Sequence, residues 1–177
     1  MRLLSLLRHA KSSWDENVSR DFDRPLNNRG RRAARAMGRF IAEEGLVFDS
    51  VLASPAVRVA ETVALVEEGL GRSLEAREDR RIYMASGVSL LELVQGTADA
   101  GHLLLVGHNP GLEDLALLLA RPDASPERVA IGEKYPTAAL ATLAFDAAAL
   151  AGIREGHGRL LRFVRPRDLD PSLAGDC

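Results

Sequence analysis

Two short, almost purely apolar runs constrain the fold of this chain more than any other feature. Residues 3–7 are apolar apart from Ser5, and residues 103–106 are apolar throughout. Such runs are typical of strands that are buried on both faces of a sheet. A helical pattern follows each run, and a third strand-to-helix unit starts between them near Asp49. Three such units in series predict an α/β fold, a three-layer sandwich whose mostly parallel central sheet has helices on both faces.

The same patterns locate the individual elements. Apolar residues at helical spacing predict helices over residues 28–44, 57–70, 89–99 and 112–120. The predicted strands cover residues 3–7, 49–53, 102–107, 137–145 and 159–164, with an edge strand within 74–83 and a loop over 121–136. A length of 177 residues fits one domain. We expect a single domain over residues 1–165 and a surface tail over residues 166–177.

Composition narrows the classes of protein to consider. Hydrophobic residues make up 46% of the chain and charged residues 27%, a globular balance. No apolar run approaches the roughly 20 residues that a membrane-spanning helix needs. The formal net charge of -2 gives no general electrostatic reason to bind nucleic acid or a membrane. The single cysteine, Cys177, has no partner for an internal disulfide, so we expect a cytoplasmic location.

The residues that follow the predicted strands carry the chemistry. Arg8 and His9 follow the first strand, and Arg58 lies in the first turn of the helix after the second. His108 follows the strand over residues 102–107. Ligands of open parallel sheets bind beyond the carboxyl ends of the strands, so these side chains are expected to converge. Arginine pairs with phosphate oxygens, and a neutral imidazole can attack phosphorus. We therefore predict that these four residues are catalytic in phosphoryl transfer.

Other chemistries have no motif in this sequence. There is no glycine-rich nucleotide loop ending in Gly-Lys-Ser/Thr, no G-x-S-x-G turn, and no cysteine followed by five residues and then an arginine. The histidines have no H-E-x-x-H or similar spacing for a metal. We predict no cofactor and no metal. Asp21 and Asp23 are interpreted as solvated loop carboxylates, and Trp14 as a packing residue.

The motifs at the strand ends resemble those of the histidine phosphatase superfamily, which has a phosphoglycerate mutase-like fold. They are Leu7-Arg8-His9-Ala10, Ser54-Pro55 with Arg58 and Glu61-Thr62, and Val106-Gly107-His108-Asn109-Pro110-Gly111. Within the superfamily, the chain looks most like the short SixA-type phosphohistidine phosphatases. The resemblance implies that His9 is phosphorylated transiently, that Arg8 and Arg58 bind the phosphoryl group, and that His108 assists. It also implies a phosphorylated protein, such as a histidine-phosphotransfer domain, or a small phosphorylated metabolite as the partner.

Further residues are candidates for substrate binding. Lys11 and Ser12 either donate to the phosphate or cap the loop after the first strand. Thr137 resembles a family position near the phosphate, although a threonine at the start of a strand needs no such role. Asp15 is included as a substrate-binding residue, and it is one of three possible proton sources. The other two are Glu78 and Asp79.

Two departures from the mutases of the superfamily bear on the substrate. The first histidine is followed by Ala10-Lys11-Ser12 instead of glycine, glutamate and serine, and residues 82–85 lack the glutamate that serves as general acid. A phosphohistidine leaving group needs less acid assistance than an alcohol, so this absence fits that substrate. A small-molecule phosphomonoesterase or mutase, and a non-catalytic phosphate-binding module, remain as alternatives.

Overall fold

The computed structural model describes residues 1–14 and 17–175 of the chain. The strands in these ranges are β1 (Arg2–Arg8), β2 (Ser50–Ala53), β3 (Arg77–Glu78), β4 (His102–Gly107), β5 (Leu140–Phe145) and β6 (Arg159–Val164). The α-helices are α1 (Asn28–Glu43), α2 (Val57–Leu70), α3 (Gly87–Gly96), α4 (Gly111–Leu119), α5 (Pro126–Glu133) and α6 (Pro166–Leu169). Within the same ranges, no helix has both the length and the apolar character required to cross a membrane.

The strands form one mixed sheet in the order β3-β2-β4-β1-β5-β6. β1 pairs with β4, β4 with β2, and β2 with β3, all in parallel. β5 is antiparallel to β1, and β6 is antiparallel to β5. The predicted α/β fold with a mostly parallel sheet is confirmed. Because β1 and β4 are central neighbours and β2 lies next to β4, the carboxyl ends of these three strands meet at one edge.

Alternate residues of β4 divide the core into two layers. Leu103 and Leu105 face one layer, where they belong to an apolar cluster with Leu90, Val94, Leu112 and Leu115 from α3 and α4. Leu104 and Val106 face the other layer, with Met37, Ile41, Val59 and Val66 from α1 and α2. All six residues of β4 are buried, as a strand covered by helices on both faces requires.

Local sequence signals account for several helix ends. The side chain of Asn27 accepts a hydrogen bond from the backbone N–H of Gly30 and caps the start of α1. The side chain of Ser86 caps α3 in the same way, through the N–H of Ser89. Gly71 ends α2 with a φ of 78°, a left-handed conformation that glycine adopts without steric cost.

Three elements differ from the sequence predictions by more than one residue at an end. Residues 121–136 were expected to be a loop but contain α5, in which only Ile131 is buried, so its helical pattern is weak. α3 lies at Gly87–Gly96 instead of residues 89–99, because Ser86 caps it two residues earlier. β5 begins at Leu140 instead of residue 137, because Ala138 has a φ of 59° that a strand does not accommodate.

The segment after residue 165 packs more closely than a surface tail. It contains α6 and a 3₁₀ turn at Pro171–Leu173, and Leu173 is buried in the layer that holds α1. The carbonyl of Leu173 also accepts a hydrogen bond from Nη2 of Arg29, at 2.9 Å. The expected surface position is therefore wrong for Leu173. The division of the chain at residue 165 stays a prediction.

Candidate active site

The carboxyl edge of the sheet brings together the four residues that the sequence predicts to be catalytic. Arg8 ends β1 and His9 follows it, while His108 follows β4 directly. The N–H of His9 donates to the carbonyl of Gly107 at 3.0 Å, which continues the pairing of β1 with β4 beyond the strands. The N–H of Ala138 donates to the carbonyls of both Arg8 and His9. The backbone around His9 is thus held on one side by β4 and on the other by the segment just before β5.

His9 is buried and neutral, with one ring nitrogen unprotonated. Its side chain is 7% exposed. Nδ1 lies 2.7 Å from the carbonyl oxygen of Ala10, which can only accept, so Nδ1 carries the proton. Nε2 therefore bears a lone pair, and it accepts a hydrogen bond from Nε of Arg58 at 3.3 Å. Burial, assisted by the positive charges of Arg58 and Arg8, lowers the pKa of His9 to about 3.

Arg58 connects the two histidines. It is the second residue of α2, and it is only 3% exposed. Besides its bond to His9, its Nη2 donates to Nδ1 of His108 at 3.2 Å. Its Nη1 donates to the carbonyl of Asp21 at 2.8 Å, and Nη2 donates to the carboxylate of the same residue at 3.0 Å. The guanidinium is thus fixed in a buried position, where it contacts both imidazoles.

His108 is held in the tautomer opposite to that of His9. Its Nδ1 accepts from Arg58, so the proton lies on Nε2, which donates to Oγ of Ser54 at 2.7 Å. Burial, followed by the charge of Arg58, lowers its pKa to about 4. The two imidazole centroids are 5.4 Å apart. Ser54, from the motif before α2, therefore orients a histidine from a different strand end.

Arg8 has an unsatisfied donor within this group. Its Nη1 donates to the carbonyl of Tyr135 at 2.7 Å, whereas its buried Nε has no hydrogen-bond partner. Burial lowers the pKa of the guanidinium. A buried N–H on a cationic group without a partner is costly, and an anion in front of it removes that cost. The loop between β4 and α4 also carries an unpaired buried acceptor, Oδ1 of Asn109.

The Glu61-Thr62 pair of the second helix positions the loops and does not enter the cavity. Oγ1 of Thr62 donates to the carbonyl of Arg58 at 2.6 Å and accepts from the N–H of Ala10 at 3.0 Å. The carboxylate of Glu61 accepts from the N–H of Leu26 at 2.7 Å. These bonds attach both ends of the long β1–α1 connection to α2, so the backbone after His9 has a fixed distance from Arg58.

A cavity of about 260 Å³, the His9 cavity, opens in front of these groups. Besides His9, Arg8, Arg58 and His108, its lining includes Lys11, Ser12 and Thr137, three of the weaker predictions. Asp15 lies outside the described residues. Glu78 and Asp79 do not line the cavity. Asp79 instead accepts hydrogen bonds from the backbone N–H and guanidinium of Arg81.

Asp21 is a residue of the site that the sequence prediction missed. It was interpreted as a solvated loop carboxylate, but it lines the His9 cavity and binds Arg58. Its carboxylate also accepts from the hydroxyl of Tyr83 at 2.8 Å. Burial alone raises the pKa of Asp21, but the bond from Tyr83 and the charge of Arg58 outweigh burial and lower it. The sequence offers one local signal for this loop, Asp21-x-x-Arg24 directly before Pro25.

Trp14 is a second correction. It was interpreted as a packing residue, but it is 76% exposed at the mouth of the His9 cavity. The guanidinium of Arg24 lies over its ring, 3.8 Å from the centroid. Met84, 68% exposed, lies at the same mouth. Among the described residues, no three His, Cys, Asp or Glu side chains are grouped so that they could hold a metal ion.

Comparison with known proteins gives a family for this arrangement. Residues 4–82 match the family model of the histidine phosphatase superfamily (branch 1). The chain is 35% identical over 164 residues to the uncharacterized protein MT1313 of Mycobacterium tuberculosis, covering 91% of this chain and 100% of that protein.

Two solved structures have the same fold over nearly the whole chain. One is the SixA protein of Nakamurella multipartitia, assigned as a phosphohistidine phosphatase. It matches with a TM-score of 0.79 and 28% identity, and the match covers 93% of this chain and 96% of that one. The other is the SixA protein of Agrobacterium tumefaciens, assigned in the same way: TM-score 0.75, 27% identity, coverage 93% and 98%. His9, Arg8, Arg58 and His108 lie in the sequence motifs that resemble those of this family. The chain belongs to the histidine phosphatase superfamily.

Proposed function

We propose that this protein is a phosphatase that removes the phosphoryl group from phosphohistidine in proteins, through a transient phospho-His9. The observation that carries the proposal is the state of His9. Its Nε2 bears a lone pair at neutral pH, and this lone pair accepts a hydrogen bond from Nε of Arg58. A neutral imidazole beside fixed cations combines a nucleophile with groups that stabilise the charge of a phosphoryl group in transfer.

In the first step, Nε2 of His9 attacks the phosphorus atom and the P–N bond of the substrate breaks. Arg8, with its unpartnered Nε, and Arg58 hold the phosphoryl oxygens. A substrate imidazole that is protonated on its second nitrogen leaves as a neutral ring and takes the electron pair of the P–N bond. His9 then bears the phosphoryl group on Nε2 and retains its proton on Nδ1. No proton from the protein is consumed in this step.

In the second step, water attacks the phosphorus atom of phospho-His9 and the new P–N bond breaks. The electron pair of that bond returns to Nε2 of His9, and both protons of the water remain with the phosphate as dihydrogen phosphate. His108 accepts through Nδ1 from Nη2 of the Arg58 guanidinium, and its Nε2–H is held by Ser54. It keeps this guanidinium in place while the charge is transferred.

The carboxylate positions favour nitrogen over an unactivated alcohol as the leaving atom. Among the described residues, Asp21 is the carboxylate that lines the His9 cavity, and its pKa is lowered, so it is ionised at neutral pH and is a poor proton donor. An alkoxide leaving group needs a proton from an acid, whereas a protonated imidazole does not. The structure of the site therefore fits phosphohistidine better than a sugar phosphate.

Exposed apolar side chains at the mouth support a protein as the bearer of the phosphohistidine. Trp14 and Met84 are largely exposed beside the cavity. Large apolar side chains in such a position are typical of surfaces that contact another macromolecule. A cytoplasmic location is part of the proposal, and it is supported by the single cysteine, Cys177.

The test is to incubate the protein with a histidine-phosphotransfer domain that carries labelled phosphate, and to trap acid-labile label on the enzyme. Wild type should release phosphate and acquire label, and His9→Ala should do neither. His157→Ala is the matched control, because His157 lies outside the lining of the His9 cavity. The proposal is contradicted if His9→Ala still acquires label. It is also contradicted if the protein hydrolyses sugar phosphates faster than the phosphorylated domain.

A further inference from the structure

A second cavity with a strongly basic lining adjoins the His9 cavity. It has a volume of about 340 Å³, and we call it the arginine cavity. Its basic lining residues are Arg8, Lys11, Arg29, Lys134, Arg165 and Arg167. Among the described residues that line it, none is acidic. The whole chain has a formal net charge of -2, so this concentration of positive charge is local.

The known contacts leave most of this charge without an anionic partner. Arg29 donates to a backbone carbonyl, that of Leu173, and this does not neutralise its charge. Arg165 is paired with Asp168, at 2.9 Å. For Lys11 and Arg167, no ion pair is found within the part of the chain that the structure describes. Cations of one sign in a concave site repel each other, and an anion that enters relieves the repulsion.

The arginine cavity and the His9 cavity share part of their lining. Arg8, Lys11 and Thr137 line both of them. Arg8, whose buried Nε has no partner, is thus one of the residues that the two cavities share. Between the cations, the lining of the arginine cavity is apolar, with Ala33, Pro136, Pro166 and Leu173. Such a lining suits a carbon chain that leads from one anionic group to another.

We propose that the arginine cavity is a second anion subsite, which binds a carboxylate or phosphate of the same molecule that presents its phosphoryl group to His9. This inference rests on the proposed function, because the phosphoryl group must occupy the His9 cavity. The preferred substrate is thus at least doubly anionic. In a phosphoprotein, the second group is an acidic side chain close to the phosphohistidine. In a small molecule, it is a second phosphate or a carboxylate.

Binding is the first test, and it does not depend on turnover. Inorganic phosphate, pyrophosphate, tripolyphosphate and tetrapolyphosphate are titrated into His9→Gln by calorimetry. We expect one of the longer ions to bind at least tenfold more tightly than phosphate. Adding Arg29→Gln and Arg167→Gln should remove at least tenfold of that affinity and change phosphate binding less than twofold.

The matched control removes two arginines elsewhere on the surface. Arg154 also donates to backbone carbonyls, as Arg29 does, and Arg121 is exposed, as Arg167 is. Arg121→Gln with Arg154→Gln has the same change in net charge and should leave all affinities within twofold. Equal losses in both double variants, or no gain in affinity with chain length, overturn the inference.

A kinetic experiment then identifies the source of the second anion. KM is measured for phosphohistidine peptides with aspartate at one of the neighbouring positions and for the same peptides with asparagine there. KM is also compared between doubly and singly phosphorylated small molecules. We expect a KM at least fivefold lower for the aspartate peptides, and loss of this advantage in the Arg29→Gln/Arg167→Gln protein. The same advantage for small molecules alone also supports the subsite and assigns it to a metabolite. No advantage for either class overturns it. If no substrate is turned over but the longer phosphate ions still bind more tightly, the proposed function is refuted and the subsite is not.

Discussion

Nδ1 of His9 lies 2.7 Å from the carbonyl oxygen of Ala10, the next residue in the chain. This contact fixes the proton on one ring nitrogen and leaves the lone pair on the other. A mere change of the side chain at position 10 does not remove it, because the acceptor is backbone. The state of the nucleophile in the proposed mechanism is therefore set by the path of the chain after β1.

Protonation of the two site histidines should appear as a pH dependence of stability. Burial is the main cause that lowers the pKa of His9 to about 3 and that of His108 to about 4. In the unfolded chain both titrate near about 6.5. Between these values the unfolded state binds more protons, so the free energy of unfolding rises with pH, by up to about 1.4 kcal/mol per unit for each histidine. Above the unfolded pKa this contribution is constant.

Urea unfolding between about pH 4.5 and pH 7.5 measures this dependence, since the unfolded pKa of histidine lies in that interval. The control is the variant His9→Gln with His108→Gln, which should have a distinctly shallower slope. An unchanged slope in the variant would show that other groups produce the dependence.

Replacement of Arg58 by lysine should reduce turnover strongly without unfolding the protein. Lysine keeps the positive charge but loses the planar fork that contacts His9, His108 and Asp21 together. We expect kcat/KM for a phosphohistidine substrate to fall at least about 100-fold, as when a transition-state donor is removed. Arg35→Lys is the control, because Arg35 forms an exposed ion pair with Glu68. Activity of Arg58→Lys within a few fold of wild type would contradict the role of the guanidinium.

The role of Asp21 can be separated into positioning and proton transfer. Its carboxylate binds Arg58 and Tyr83, and it is ionised at neutral pH, which favours positioning. Asp21→Asn should then reduce kcat/KM by about the same factor for substrates with good and poor leaving groups. Tyr83→Phe, which removes only the hydroxyl bond to Asp21, should cause a smaller loss in the same pattern. A defect that grows with the pKa of the leaving group would instead identify Asp21 as a proton donor.

Gly30 should tolerate no side chain. A Cβ at this position would overlap the backbone carbonyl of Lys11, which cannot move without displacing the loop after His9. We expect Gly30→Ala to destabilise the protein by about 1–3 kcal/mol or more, as overpacking does, and to lower activity. Gly132→Ala is the control, since a Cβ there meets nothing within 4 Å. It lies in α5, where alanine is favoured over glycine by up to about 1 kcal/mol. Equal melting temperatures for both variants would contradict the close approach.

The parts of this fold that were predictable are those with strong local patterns. The apolar run that becomes β4 and the helix at Val57–Leu70 depend on burial and periodicity, which the sequence carries directly. α5 was missed because it buries only Ile131. Asp21 was missed because it lies far from any strand end in the chain, and tertiary contacts with Arg58 and Tyr83 bring it to the site. The burial of Leu173 likewise depends on tertiary contacts, those with the layer that holds α1.

The hydrogen bond from Nε of Arg58 to Nε2 of His9 has a consequence for substrate binding. The lone pair that would attack phosphorus accepts a hydrogen bond from the same group that, in the proposed mechanism, binds the phosphoryl oxygens. An incoming phosphoryl group attracts the guanidinium more strongly than a neutral imidazole does, and so draws this donor away from the nitrogen. In the proposed mechanism, binding of the phosphoryl group therefore also releases Nε2 of His9 for attack.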